Sequence, residues 1–433
     1  MLFPYEAQSG DTIPALAAHF NTTQEEIHEA NPDLPDGLTT LPPGLPLQIP
    51  AYYAPLTGPA FHILPDSEIV FGPSASGVDI DREIRSRPGF LVGLSDYAYK
   101  LQRSAWEVVE VIAQNYSIHP RVLLALMEYQ TQALSDPFPN DEAVTYPMGY
   151  QEPGYEDLFW QLIWASERLN DGYYGWRAGT LEAFELADGL VVRPDPWLNA
   201  GTAAIQYFFA GLFGMEGFNH AVGPSGFQRT YVELWGDPFD LAVELIPGNL
   251  QQPDLTLPFV PNRIWDFTAG PHFSWGTSLP LGALDFGPPA DETGCALSSE
   301  WIAAPAAGVI ARSEEAIVML DLDADGDIRT GWVLFFYHVA TRDRIEAGVR
   351  VAAGDLLGHP SCEGGRATGT HFHLARRYNG EWIPASGVLA FSMDGWVVYA
   401  GDEAYAGTLQ KGSKIVIASA FSPASSRILY EFP

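Results

Sequence analysis

Gly369-Thr370-His371-Phe372-His373-Leu374-Ala375 reads as a turn followed by a β-strand that carries two histidines two residues apart. In a strand, residues i and i+2 point to the same face, so both imidazoles enter one groove. Upstream, Gly270-Pro271-His272 and Leu284-Asp285-Phe286 add a third imidazole and a carboxylate. Imidazole and carboxylate are the ligand types of an open catalytic zinc site, where three protein groups leave one position for water. A lone His-x-His is equally well read as two strand histidines; joined to the two upstream motifs, it points to metal chemistry. Short Gly- and Pro-punctuated runs through the last third predict antiparallel β-structure around these residues.

At these residues the chain resembles the lysostaphin-type zinc endopeptidases, which cut peptidoglycan peptides. Their pattern is a His, an Asp and a His-x-His, with a further His on a strand between. The gap from His272 to Asp285 is longer than in lysostaphin itself and is more similar to the beta-lytic branch, where a loop rich in Gly and aromatic residues separates the two ligands. The intermediate histidine is matched by His338 in Trp332-Val333-Leu334-Phe335-Phe336-Tyr337-His338. The resemblance covers roughly residues 255–390. It implies zinc ligation by His272, Asp285 and His373, with His338 and His371 as unliganded histidines beside the metal. Zinc brings the pKa of bound water towards neutrality and polarises the scissile carbonyl. One neutral imidazole then takes a proton, and the other stabilises the oxyanion or protonates the leaving nitrogen. Sequence does not decide which of the two does which; His371 is taken as the base and His338 as its partner, with the reverse as the alternative. His359, in Gly358-His359-Pro360, reads as a loop residue outside the metal set.

Residues 5–50 carry a second pattern. Tyr5-Glu6-Ala7-Gln8-Ser9-Gly10-Asp11-Thr12-Ile13 leads into an Ala-rich helix, Glu25-Glu26-Ile27-His28-Glu29-Ala30-Asn31-Pro32 follows, and Leu41-Pro42-Pro43-Gly44-Leu45-Pro46-Leu47-Gln48-Ile49-Pro50 closes it. The order predicted is strand, helix, helix, strand. Asp11 and Thr12 suit a helix start, Thr22 or Thr23 suits a second N-cap, and Gly44 marks the last turn. This stretch resembles a LysM domain. The resemblance implies a shallow groove for N-acetylglucosamine-containing glycans, formed by Gly10, Asp11, Thr12 and Ile13 on one side and Asn31, Pro32, Asp33 and Leu34 on the other. Read as backbone chemistry alone, Asp11 and Asn31 cap and turn the chain.

With 433 residues the chain is long enough for two to four domains, and its aromatic and apolar content excludes a disordered polyanion despite a net charge of −32. So acidic a surface argues against nucleic acid and against anionic membranes as partners. Attachment to a wall therefore needs specific glycan contacts. No segment is long and apolar enough to span a membrane. Met1-Leu2-Phe3-Pro4-Tyr5 runs straight into the first strand. No signal peptide is present, and the expectation is a secreted, wall-associated protein whose leader has been removed. In that setting Cys295 and Cys362, the two cysteines of the chain, are read as a disulfide across the active-site loops, with two separate buried thiols as the alternative.

Between the two modules, residues 52–90 read as a Pro/Gly/Ser-containing linker. Residues 91–245 read as an all-α domain, with helices expected over 97–116, 120–133, 156–170 and 198–213. Pro120 falls at a first helical turn, where its missing N–H is harmless. This stretch resembles the lysozyme-like fold of lytic transglycosylases, but Gln130-Thr131 stands where their catalytic Glu-Ser would be. The general acid of glycoside cleavage is then missing, since Glu128 sits some 200° of helix away. The expectation is a non-catalytic domain that positions glycan or spaces the modules, with a plain helical spacer as the alternative.

Asp321, Asp323, Asp325 and Asp327, with Gly326 among them, resemble the start of a calcium loop, although Trp332 replaces the Glu of the twelfth position. A solvated hairpin is the other reading. The segment 396–433 reads as a β extension. The whole predicts a multidomain α+β chain: a βααβ module over 1–51, the linker, the helical domain, and a mainly antiparallel β zinc domain over 255–395. Its expected function is a zinc-dependent peptidoglycan hydrolase that cleaves a stem-peptide or cross-bridge bond; the alternative is a non-enzymatic wall-binding protein that activates other hydrolases.

Overall fold

The computed structural model describes residues 1–52, 58–289 and 294–430. It is a mixed α+β chain of two compact units: residues 1–249 with 275–279, and residues 250–274 with 280–433.

The first unit opens with the βααβ module. Strand β1 (Leu2–Glu6) pairs antiparallel with β2 (Pro46–Pro50), and α1 (Ile13–His19) and α2 (Gln24–Ala30) lie between them in sequence. Local chemistry sets the helix starts. Thr12 accepts the Ala15 N–H, and Thr23 and Glu26 form a reciprocal capping box. Tyr5, Leu16, Phe20, Ile27, Leu41, Leu47 and Ile49 close a small core.

The rest of this unit is mainly helical: α3 (Ile80–Arg85), α4 (Ala105–Tyr116), α5 (Pro120–Thr131), α6 (Asp141–Thr145), α7 (Asp157–Arg177), α8 (Ala200–Ala210), α9 (Met215–Ala221) and α10 (Phe227–Trp235). Two short hairpins interrupt it, β3 (Ser95–Ala98) with β4 (Leu101–Ser104) and β5 (Phe184–Glu185) with β6 (Val191–Val192). The first hairpin replaces the opening turns of the helix expected over 97–116. Tyr99 and Lys100 both take positive φ, 47° and 69°, at its tip, and the Ser104–Glu107 capping box starts α4 only after it. At α5, Pro120 stands at the first turn and His119 Nδ1 accepts the Arg121 N–H.

The linker expected over 52–90 is not a loose connector in its described part. Ile63, Leu64, Ile69 and Val70 are buried, and Asp66 accepts hydrogen bonds from Asn199 Nδ2 and the Gly201 N–H, both at 2.7 Å. Its Pro, Gly and Ser residues shape packed turns. Residues 53–57 of this expected linker lie outside the described residues.

The second unit is built on a nine-stranded sheet, ordered β13 (Arg350–Val351), β10 (Gly308–Glu314), β11 (Ile317–Asp321), β12 (Trp332–Tyr337), β15 (Phe372–Tyr378), β8 (Ser278–Gly287), β7 (Ile264–Trp275) and β21 (Arg427–Leu429), with β16 (Glu381–Trp382) paired to β15. A two-stranded pair, β9 (Ile302–Ala303) with β14 (Leu356–Gly358), lies beside it. The C-terminal run forms a four-stranded antiparallel sheet, β17 (Ser392–Met393), β18 (Trp396–Ala400), β19 (Gly407–Lys411) and β20 (Lys414–Ile417). The chain then returns, and β21 joins the edge of the large sheet through Arg427 opposite Asp266.

Strand alternation sorts this sheet into two faces. Trp265 and Phe267 on β7, Leu284 and Phe286 on β8, and Phe372 and Leu374 on β15 enter one apolar core. The residues between them therefore turn to the opposite face. On that face lie Asp266, Thr268 and His272, Asp285, and His373, with His371 just before β15.

Candidate metal centre and active site

Register brings the site together. His373 on β15 stands directly opposite Asp285 on β8, and His272 comes from the neighbouring β7. Each metal-facing imidazole gives one N–H to a backbone carbonyl: His272 Nδ1 to Gly270 at 2.9 Å and His373 Nε2 to Ser274 at 3.1 Å. In the neutral rings this leaves His272 Nε2 and His373 Nδ1 without protons, 3.1 Å apart. Asp285 Oδ1 completes the triangle, 3.2 Å from the first and 3.4 Å from the second, and it is buried with no hydrogen-bond partner.

With both rings neutral, three buried acceptors face one another and repel unless a proton or a cation lies between them. Burial lowers the His272 pKa, but Asp285 beside it raises it overall, the response of a site that attracts positive charge. Zinc bonded at 2.0–2.1 Å in a tetrahedron sets its ligands about 3.3 Å apart. The three separations bracket that value, so the residues fit the ion. Carbonyl acceptors behind both imidazoles fix their tautomers, as outer partners of metal ligands do. Burial raises the Asp285 carboxyl, but His272 beside it, with His373 and His371, holds it well below the usual carboxylate range.

The two remaining histidines flank this triangle. His371 gives its Nδ1 proton to the Gly369 carbonyl at 2.7 Å, and its Nε2 faces Asp285 Oδ2 at 3.7 Å. His338 gives its Nδ1 proton to the Glu363 carbonyl at 2.8 Å, and its ring lies 4.5 Å from that of His371. Both neutral rings thus present a bare Nε2. Burial, helped by His371, lowers the His338 pKa to about 3. His338 also holds φ at 62°, the left-handed region that a β-strand exit does not require of it. The Ser361 hydroxyl, donating to the His338 carbonyl at 2.8 Å, helps hold that turn.

The loops around the site are tied together. Cys295 and Cys362 form a disulfide with Cα atoms 5.7 Å apart. Alongside it, Thr370 donates its N–H to the Gly294 carbonyl at 2.9 Å and its hydroxyl to the Ala296 carbonyl at 2.5 Å. The segment leading to His371 is thereby fastened to the loop that follows β8. Between these walls a groove of about 1430 Å³ runs past Asp285 and His371.

Tyr405 is a site residue that the sequence reading missed. Its ring stacks on His272 at 4.8 Å, its N–H donates to the Pro271 carbonyl at 2.9 Å, and its carbonyl accepts the Gly270 N–H at 2.8 Å. It lines the groove from the loop between β18 and β19. An aromatic residue set among Gly401, Asp402, Glu403 and Gly407 in a β extension was the signal available.

His359 lies apart from the metal triangle, its Nδ1 donating to the Glu300 carbonyl at 2.7 Å and its ring 3.9 Å from Trp301. In the acidic loop, Asp321, Asp323 and Asp325 bring ligand atoms within 4.8 Å of one another, and burial followed by Asp323 raises the Asp321 carboxyl to about 6. Asp327 does not join them. Arg329 takes both of its oxygens at 2.7 Å, which removes the fourth carboxylate expected of a calcium loop.

The expected glycan residues divide. Gly10 and Ile13 are buried, and Thr12 caps α1. Asp11 turns inward to the Tyr5 hydroxyl at 2.7 Å and the Gln8 N–H at 2.8 Å. The Arg177 guanidinium covers Gly10, leaving no room for even a Cβ there. Gly10 and Ile13 are thus covered, while Asp11 and Thr12 stay partly exposed. On the other side Pro32 and Asp33 are exposed and Leu34 half-buried, while Asn31 binds the Ile27 carbonyl and both backbone groups of Gln48. In the helical segment Glu128 accepts from the Leu134 N–H and the Ser135 hydroxyl at 2.8 and 2.6 Å, so its carboxylate closes a helix end.

Among the described residues, no helix is long and apolar enough to cross a membrane. Residues 5–50 match the LysM domain family, and residues 62–248 match the LasA N-terminal domain family. Protease LasA of Pseudomonas aeruginosa is 25% identical over 374 residues, which cover 79% of this chain and 78% of that protein. Similar solved structures include the M23 metalloprotease pseudoalterin from the deep sea, at 21% identity, 39% of this chain, 96% of that chain and a TM-score of 0.33. Another is the catalytic domain of the antimicrobial peptidase lysostaphin from Staphylococcus simulans, at 18% identity, 29% of this chain, 90% of that chain and a TM-score of 0.21. The chain is similar to protease LasA and carries a LysM domain at its N-terminus.

Proposed function

We propose that this chain is an exported, zinc-dependent peptidase of peptidoglycan that cuts a peptide bond in the stem peptide or cross-bridge. The reading rests above all on His272 Nε2, Asp285 Oδ1 and His373 Nδ1, which meet at tetrahedral spacing beside a groove that Asp285 and His371 line. Similarity to protease LasA and the LysM domain supports the substrate class.

When bound there, zinc supplies Lewis-acid polarisation of the scissile carbonyl and a water acidified towards neutral pH. The chain's own groups supply the rest. His371 serves as the base through Nε2, because Asp285 Oδ2 at 3.7 Å stabilises the imidazolium it becomes. The proton that His371 takes passes on to the departing amine, and His338, buried next to His371, stays neutral beside it. Tyr405 holds the His272 ring by stacking and offers its hydroxyl to the groove. The LysM domain holds a GlcNAc-containing glycan chiefly through the exposed side around residues 31–34. Residues 62–248 position that domain without catalysis of their own. The carboxylates Asp321, Asp323 and Asp325 are the remaining candidates for calcium.

Digestion of purified sacculi, scored against casein, tests this reading. The expected result is release of wall peptides by the zinc-loaded protein, stopped by a chelator and restored by zinc. Wall binding without cleavage by the zinc-loaded protein on several wall types would instead favour a binding protein.

A further inference from the structure

The groove continues beyond the metal triangle along β7, and its far part is lined by Asp266, Thr268 and Glu300. Asp266 and Thr268 share the face of β7 that carries His272. Asp266 lies six residues from His272, roughly 20 Å at 3.3 Å per residue. An extended peptide bridges that distance with about six residues.

The Asp266 carboxylate is half-buried and poorly served. The Ser426 hydroxyl is 3.3 Å from its Oδ1 but also lies 2.8 Å from the Pro423 carbonyl, and its single proton favours the shorter contact. Ser422 offers a second hydroxyl, and Arg427 across the strand pair acts on it only through space. Among the described residues no cationic nitrogen forms an ion pair with Asp266. Glu300, by contrast, already has Arg263 Nε at 3.4 Å. Beside Asp266, the Thr268 hydroxyl oxygen is buried in the groove lining without a hydrogen-bond partner. A half-buried carboxylate in the groove lining that has hydroxyl partners but no ion pair fits a ligand that brings it a cation.

We propose that Asp266 is a specificity-determining residue of the groove and receives the ammonium group of a peptide substrate about six residues from the scissile bond. The ammonium comes from a lysine-type side chain or from a free peptide N-terminus. This inference rests on the peptidase reading of the groove.

The test uses the zinc-loaded full chain and uncharged peptides in which one position, three to seven residues from the cleaved bond on either side, is lysine or norleucine. Each is made with a free and with an acetylated N-terminus. The readouts are the lysine-to-norleucine ratios of kcat/KM and, by calorimetry, of Kd. The expected ratio is roughly tenfold in favour of lysine at one position, the discrimination of one charge-assisted hydrogen bond at a half-buried site. Asp266→Asn brings the ratio to about one, and Asp266→Glu retains a preference. A preference that follows acetylation alone assigns the group to the N-terminus. A ratio near one at every position in the wild type, or one that survives Asp266→Asn, overturns the proposal. If no peptide is cleaved, the peptidase reading fails, while the Kd ratio still decides whether Asp266 binds an ammonium.

Discussion

Asp285 faces three histidines from one position. Its Oδ1 faces the two proton-free imidazole nitrogens, and its Oδ2 faces His371, so one carboxylate links the metal triangle to the proposed base. The roles of the histidines differ accordingly, and substitution separates them. His371→Ala and His338→Ala are each expected to retain zinc while cleavage falls roughly 10²- to 10⁴-fold, the range for loss of a general acid or base. Metal analysis beside a peptide-release assay checks this, and loss of metal from either variant contradicts the assignment. Away from the site, His19 in α1 stacks on Trp176 at 3.7 Å and bonds to its carbonyl at 2.9 Å. Burial is the main cause that lowers its pKa to about 4, from an ordinary value of 6.5. The fold therefore favours the neutral ring. Its contribution to stability is present above pH 6.5 and is lost as pH falls from there towards 4. The thermal-midpoint difference between wild type and His19→Gln should shrink as pH falls from 7 to 4 and level off above 7. A difference independent of pH would show that His19 titrates normally.

At the scale of elements, the N-terminal module and α7 are clasped by one side chain. Arg177, at the C-terminal end of α7 where the helix dipole favours a cation, donates to the Ser9 carbonyl, to Asp66 Oδ2 at 2.9 Å and to the Tyr173 hydroxyl at 2.9 Å. Removing it in Arg177→Met leaves the Asp66 charge buried without its cation and should cost roughly 3–5 kcal/mol, read from the denaturant midpoint. A loss below 1 kcal/mol would mean the clasp is ornamental. The disulfide closes a separation of 67 residues, so Cys295→Ser with Cys362→Ser should cost about 4 kcal/mol on chain-entropy grounds. Unfolding with and without reductant measures the same quantity independently. Elements differed in how far the sequence revealed them. Thr12, Thr23 and Pro120 carry local helix-start chemistry and stand where it predicts. The β3–β4 hairpin was hidden because its tip is formed by Tyr99 and Lys100 at positive φ, with no Gly, Asn or Pro to mark the turn. The packing of residues 58–90 depends on distant partners such as Asn199, which no local pattern contains. Tyr405 was hidden for the same reason, since Pro271 and His272 place it. The inward turn of Asp11 required knowledge of Tyr5 and of the Arg177 cover.

Over the whole molecule, the chain carries a net charge of −32, and His272, Asp285 and His373 are the residues proposed to hold one divalent cation. That field attracts cations and repels an anionic wall, which is consistent with attachment through neutral glycan and cleavage of peptide rather than bulk charge. The central claim is that His272, Asp285 and His373 hold zinc. The most direct measurement is the zinc content of the purified wild type, His373→Ala and Asp285→Asn, each verified as folded by circular dichroism. The account predicts one zinc per chain in the wild type and little or none in either variant. A folded wild type that takes up no zinc on reconstitution, or variants that keep it fully, would contradict it.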